Sequence, residues 1–139
     1  MPNVIPLEQV QAGLITYLKG LTALVTALGS SSQIKEYFYQ GTDFVYPGVR
    51  LMMGSAKAEG EPNCNKWLLP FYVMCYSEQK SSKQASQLAS IVGSIHGKQP
   101  GSLNGVKFTR IYVDAMVPPI RQDELTWRSE VICHSIITL

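Results

Sequence analysis

Two histidines and three cysteines are the residues of this 139-residue chain best suited to catalysis or metal binding, and their spacing argues against both. Cys64, Cys75 and Cys133 form no CxxC pair, and neither His96 nor His134 stands at ligand spacing from any of them. A metal site needs such a converging set of N and S donors. His96 falls in the last turn of an expected helix, where an imidazole bonds free carbonyls. His134 alternates with Ile132 and Ile136 on an expected strand and reads as a half-buried or interface residue. Cys75 and Cys133 stand among apolar strand residues as packing groups. Cys64 lies in a polar stretch with no His or basic cluster beside it to favour the thiolate.

The carboxylates are no better placed. Asp123 and Glu124 are adjacent, so on a strand they face opposite ways, and Glu59 and Glu61 lie in an expected loop. Neither pair has the mutual positioning of a general acid and base. The glycines make no GxGxxG or GxxxxGK[ST] phosphate cradle, and the serines at 30–32 and 81–82 punctuate helices. No enzyme, cofactor or metal ion is expected. Of the four arginines, Arg50, Arg110 and Arg128 fall on expected strands. Cross-strand pairing of Arg110 and Arg128 with Glu130 or Asp114 is one reading; a polar interface or channel wall is the other. A formal net charge of +2 is too small a field to capture nucleic acid by itself, and no aromatic-plus-basic RNA motif is present.

Stepping along the chain, the positions that must carry these residues fall into clear elements. Leu7, Val10, Leu14, Leu18, Leu21, Leu24, Val25 and Leu28 recur at helical steps. Gly20 divides that helix and Gly29 ends it, giving a broken helix over one sheet face. Strands are expected at residues 33–39 and 48–54, with a turn at 41–47 between them. Residues 55–65, SAKAEGEPNCN, read as a long loop of the kind that orders on binding. Residues 67–77 form the third strand. Ser81 and Gln84 make a capping box for a second helix carrying Ala85, Leu88, Ala89, Val92 and Ile95, closed by Gly97. Strands at 106–115 and 126–138 finish the chain, linked by VPPIRQDEL, whose adjacent Pro118 and Pro119 force an extended connection. The expected class is α+β in the order α-β-β-β-α-β-β, a mainly antiparallel sheet of about five strands in one domain spanning residues 1–139.

The run WLLPFYVMCY, residues 67–76, is apolar on both alternating faces. Trp67, Leu69, Phe71, Val73 and Cys75 point one way, and Leu68, Tyr72, Met74 and Tyr76 the other. A strand of an antiparallel sheet usually wets one face, so either helices flank both sides or another protein chain completes one. The charged fraction of 16% is below the usual ~25%, as suits a surface partly committed to assembly. No stretch reaches the ~18 apolar residues of a membrane helix. The first residues, MPNVIPLEQ, show no signal-peptide pattern, and unpaired cysteines fit synthesis in a reducing cytoplasm.

The segment IKEYFYQGTDFVYPGVRLMM, residues 34–53, resembles a recurring segment of small bacteriophage tail terminator (tail-completion) proteins. In them a short strand leads through an aromatic Tyr-Pro turn into a second strand; here that turn is Phe44, Tyr46 and Pro47, followed by Arg50. The downstream order also looks similar: an apolar strand, a small-residue helix (SSKQASQLASIVGSI) and two closing strands. The resemblance covers most of the chain in layout and about twenty residues in motif. It implies an α+β protomer that closes into a homo-oligomeric ring, commonly a hexamer, in the tail and neck of the virion. Such a ring caps the tail tube, ends its growth and meets a head-side connector; DNA passes through its lumen without base recognition, and a sheath layer is a further partner in contractile tails. Candidate interface residues are Trp67, Tyr72, Tyr76, Arg110, Trp127 and Arg128, and the candidate docking loop carries Lys57, Glu59, Glu61 and Asn63. Alternatives are another neck component, a stopper or adaptor, and, from a different class, a small α+β ligand-binding module or enzyme with the apolar strand lining a pocket.

Overall fold

Residues 5–37, 45–59 and 65–139 are described by the computed structural model. Phe44, Glu61, Asn63 and Cys64 lie outside them, as does the end of the strand expected at 33–39. The fold is α+β, as expected. Helix α1 (Leu7–Lys19) starts behind Pro6, with Glu8 in its first turn, and stops at Gly20; α2 (Thr22–Leu28) follows at a 77° bend and ends on Gly29 in the left-handed conformation. Among the described residues no single helix is long and apolar enough to cross a membrane.

The strands are β1 (Ile34–Glu36), β2 (Gly48–Met53), β3 (Lys57–Ala58), β4 (Lys66–Ser77), β5 (Gly101–Leu103), β6 (Val106–Arg121) and β7 (Trp127–Thr138), with α3 (Lys83–Gly93) between β4 and β5. They form one sheet in the order β1-β2-β4-β7-β6-β5, and β3 pairs with β4 beyond the end of β2. Among the described residues only β1 and β2 run parallel. β4 is the spine: twelve consecutive residues pair with β7, from Lys66 opposite Thr138 to Ser77 opposite Trp127.

Five details differ from expectation. Residues 101–103 pair with 106–108 as β5, where no strand was expected, and with β3 they bring the described strands to seven against about five. The stretch at 55–65 is partly sheet, because Lys57 and Ala58 pair with Leu68 and Trp67 and the Glu59 amide donates to the Lys66 carbonyl; two charged residues and an alanine do not mark a strand by composition. The capping box does not form. The Ser81 hydroxyl accepts from the Lys83 amide two residues on, and Gln84 Oε1 accepts from Ser77 Oγ at 2.6 Å. α3 ends at Gly93, and residues 94–97 continue as turns with Gly97 at positive φ. β6 does not stop at Ala115 but runs on through both prolines to Arg121. Proline lacks a ladder donor and is tolerated on a sheet edge, and β6 is that edge beyond its short pairing with β5.

All three helices cover the same side of the sheet. Val10, Leu14, Leu18, Leu24, Leu88, Val92 and Ile95 meet Val49, Leu51, Leu69, Phe71, Val73, Cys75, Phe108, Ile111, Val131, Cys133 and Ile137 in one buried core. Gly13 lets α1 approach β5 closely, since a Cβ there would lie 3.0 Å from Leu103 Cβ.

Candidate interaction surfaces

The alternate residues of β2, β4, β7 and β6 face away from the helices, and their cross-strand register lays them out in rungs. Met52, Tyr72, Ile132 and Ala115 form one; Pro70, His134 and Tyr112 the next; Leu68 and Ile136, with Lys57 beside Leu68, a third. Met52, Leu68, Pro70, Tyr72, Ile132 and Ile136 are half-buried, and Tyr112 is 42% exposed. A rung of Lys66, Thr138 and Lys107 borders this apolar area at one end; Met74, Glu130 and Val117, then Tyr76, Arg128 and Ile120, border it at the other. A contiguous apolar centre with a polar rim is how protein interfaces are built.

At the second border the chain closes over its own face. Tyr76 and Arg50 are buried, at 6% exposure each, and Tyr37, Tyr46, Gln122, Asp123 and Thr126 join them around a pocket of about 270 Å³. Burial raises the Tyr76 hydroxyl above its ordinary value, against the opposing hydrogen bond to Arg128. Arg50 Nη1 donates to the Gln33 and Val49 carbonyls, and burial lowers its guanidinium from the ordinary value. The Tyr46–Pro47 peptide before it is cis. The Tyr-Pro turn therefore belongs to a packed corner of the molecule.

Of the other expected interface residues, Tyr72 lies at the centre of the open face. Trp67 is on the helix side, half-buried against the core opposite Ile137. Arg110 is exposed on β6 at an irregularity in the ladder. Trp127 is half-buried under Arg121, whose guanidinium carbon lies 5.5 Å from the ring centroid. Lys57 is exposed and Glu59 half-buried at the paired base of the β3–β4 hairpin.

Asp114 does not take an arginine; its Oδ2 lies 2.7 Å from His134 Nδ1, and the His134 ring stacks on Tyr112 at 5.1 Å. His96 does not bond helix carbonyls. Past the end of α3, its Nδ1 accepts the Val113 amide at 2.9 Å, and Tyr112 meets it edge-on. Three ladder irregularities, bonds between Ile111 and residues 97 and 98, the His96 contact and the two prolines thus interrupt the outer margin of β6. Burial pushes the Cys75 and Cys133 thiols up to about 12. Among the described residues no group of three or more His, Cys, Asp or Glu is placed to hold a metal ion.

The turn from β6 to β7 is tightly organised. Asp123 Oδ1 accepts the amides of Leu125 and Thr126 at 2.9 and 2.8 Å, which holds its carboxyl below the ordinary carboxylate value. Arg121 donates to the carbonyls of Asp123 and Glu124 while stacking on Trp127. The result displays Leu125, 68% exposed; Ile120, paired with Arg128 near the end of β6, is 47% exposed. Ile132, Ile136 and Leu125 were not singled out from sequence. The signal for the first two is their alternation with His134 on β7.

No protein-family model matches this chain, and no curated protein matches it. Solved structures do: a chain of the virion of a native gene transfer agent (GTA) particle superposes with a TM-score of 0.72 over 96% of this chain and 97% of its own, at 11% identity. At that identity the likeness is one of fold, and it extends over the whole domain.

Proposed function

We propose that this chain is a structural protein of a phage-like virion, assembling as a homo-oligomeric ring that caps the tail tube, ends its polymerisation and joins it to the head-side connector. The observation that carries this reading is the helix-free sheet face, whose adjoining apolar rungs at Met52–Tyr72–Ile132 and Leu68–Ile136 are covered by no helix of the chain. The virion chain of the same fold, matched end to end, supports the setting. A ring built head to tail uses two different patches per subunit and closes by rotation. The role requires no catalysis, cofactor or metal, and DNA crosses the lumen without sequence-specific contacts. The Tyr112–His134–Asp114 group lies within the face, between its apolar rungs, as packing with one polar pair.

Two measurements test the reading. Sedimentation velocity and negative-stain imaging of the full chain are expected to show rings of several copies, six on the tail-terminator pattern. Added to polymerising tail-tube protein, the ring is expected to bind tube ends and stop elongation. A single copy at high concentration, together with tubes that grow unchanged, refutes it.

A further inference from the structure

The open sheet face has a complement on the same molecule. The β6–β7 turn presents Leu125 to solvent on a backbone fixed by Asp123, and Ile120, paired with Arg128 near the end of β6, is exposed at the same end of the sheet, so the apolar tip is already in place before any contact is made. Binding by a pre-ordered element avoids the entropic cost of ordering it. The tip also carries the carboxylates of Asp123 and Glu124 against one cation, Arg121, which bonds two carbonyls and lies over the Trp127 ring, so the turn is acidic on balance. The open face has the opposite charge at its far border, where Lys57, Lys66 and Lys107 flank Leu68 and Ile136. Tip and Lys-bordered rungs lie at opposite ends of the twelve-residue β4–β7 ladder, so one copy cannot satisfy itself.

From this complementarity we propose that the occupant of the open face is a second copy of this chain: Leu125 and Ile120 of one subunit seat on the Leu68, Tyr72, Ile132 and Ile136 rungs of the next, with Glu124 against the lysine border. This rests on the ring reading above and names its contact. The contact is heterologous, because the tip and the face are different patches.

The test uses full-length protein in sedimentation velocity over a concentration series. Leu125→Glu changes an exposed tip residue and Lys66→Glu an exposed border residue, so both variants keep the fold, checked by thermal melting; Ile132→Glu alters the face itself. Each variant alone is expected to need about tenfold more protein, or greater, for assembly. Mixing Leu125→Glu with Ile132→Glu is expected to yield dimers that stop there, because the intact face of the first takes the intact tip of the second. Combining Glu124→Lys with Lys66→Glu in one chain is expected to restore assembly that each swap weakens. If the wild type forms rings and Leu125→Glu forms them equally well, the proposed contact is wrong and the ring stands; the face is then taken by another protein. Variants that each fail but give no mixed dimer also overturn it, in favour of a face-to-face contact. A wild type that stays single removes the ring reading and this contact together.

Discussion

Substituting Val131 and Ile132 with alanine, one at a time, separates the two faces of β7 at adjacent positions. Val131 is fully buried opposite Val73 and Met116, on the helix side. Its truncation removes two methyl groups at ~0.8 kcal/mol each and leaves a cavity, for a total near 2–3 kcal/mol. In a domain of this length that lowers the melting temperature by about 10 °C. Ile132 is half-buried on the open face. Truncating it removes three such groups, worth about 2.4 kcal/mol if wholly buried. About two-thirds of that or more is realised within one subunit, and at most ~0.8 kcal/mol is left for a neighbour that covers the face. The expected result is a loss of stability in dilute solution smaller than that of Val131→Ala, together with a shift of up to about fourfold in the concentration for half-assembly. Circular-dichroism melts at low concentration and sedimentation at high concentration read the two effects separately. Equal melting shifts with unchanged assembly in Ile132→Ala would refute the division of the sheet into a core face and a contact face.

Gly13→Ala is expected to destabilise by about 1–2 kcal/mol in urea titration, because its Cβ would sit 3.0 Å from Leu103 Cβ and 3.2 Å from the Leu103 carbonyl oxygen. The Asp123 carboxyl is held below its ordinary 3.8 by the turn amides, so its contribution is present above that pH and is lost progressively as pH falls through the lower folded value. Amide exchange at Leu125 and Thr126, corrected for intrinsic rates, is expected to quicken relative to the core in that acid window, and in Asp123→Ala at every pH. With thiols pushed up to about 12, Cys75 and Cys133 are expected to resist a thiol-labelling reagent at pH 8 until denaturant is added; rapid labelling of either in the native protein would contradict their burial.

Elements that announce themselves by periodicity were legible in the sequence: the break at Gly20, the stripe from Ala85 to Ile95, and the apolar runs of β4 and β7. What was hidden depends on distant partners. Lys57 and Ala58 become a strand only because Leu68 and Trp67 lie opposite, and Ile34–Glu36 pairs in parallel across a segment of the chain. Pro118 and Pro119 look like a stop until an edge position makes them harmless. The doubly apolar β4 raised the right question about a missing cover, yet Trp67 and Tyr76 are engaged by the chain itself, the first at the core and the second in the corner beside Arg50. Leu125 could not be recognised as a displayed residue, since nothing in DELT reveals that Asp123 freezes the turn around it.

The interrupted margin of β6 has a consequence for how such a subunit is stored. A long bare strand invites main-chain templating, in which each added copy recreates the growing end and stacking never terminates. Along β6 the amides at 111 and 113 are already bonded and those at 118 and 119 do not exist. A concentrated pool of newly made chains is thereby steered away from fibrils on that side, and association is left to side-chain docking, which in the ring proposed above stops when the circle closes.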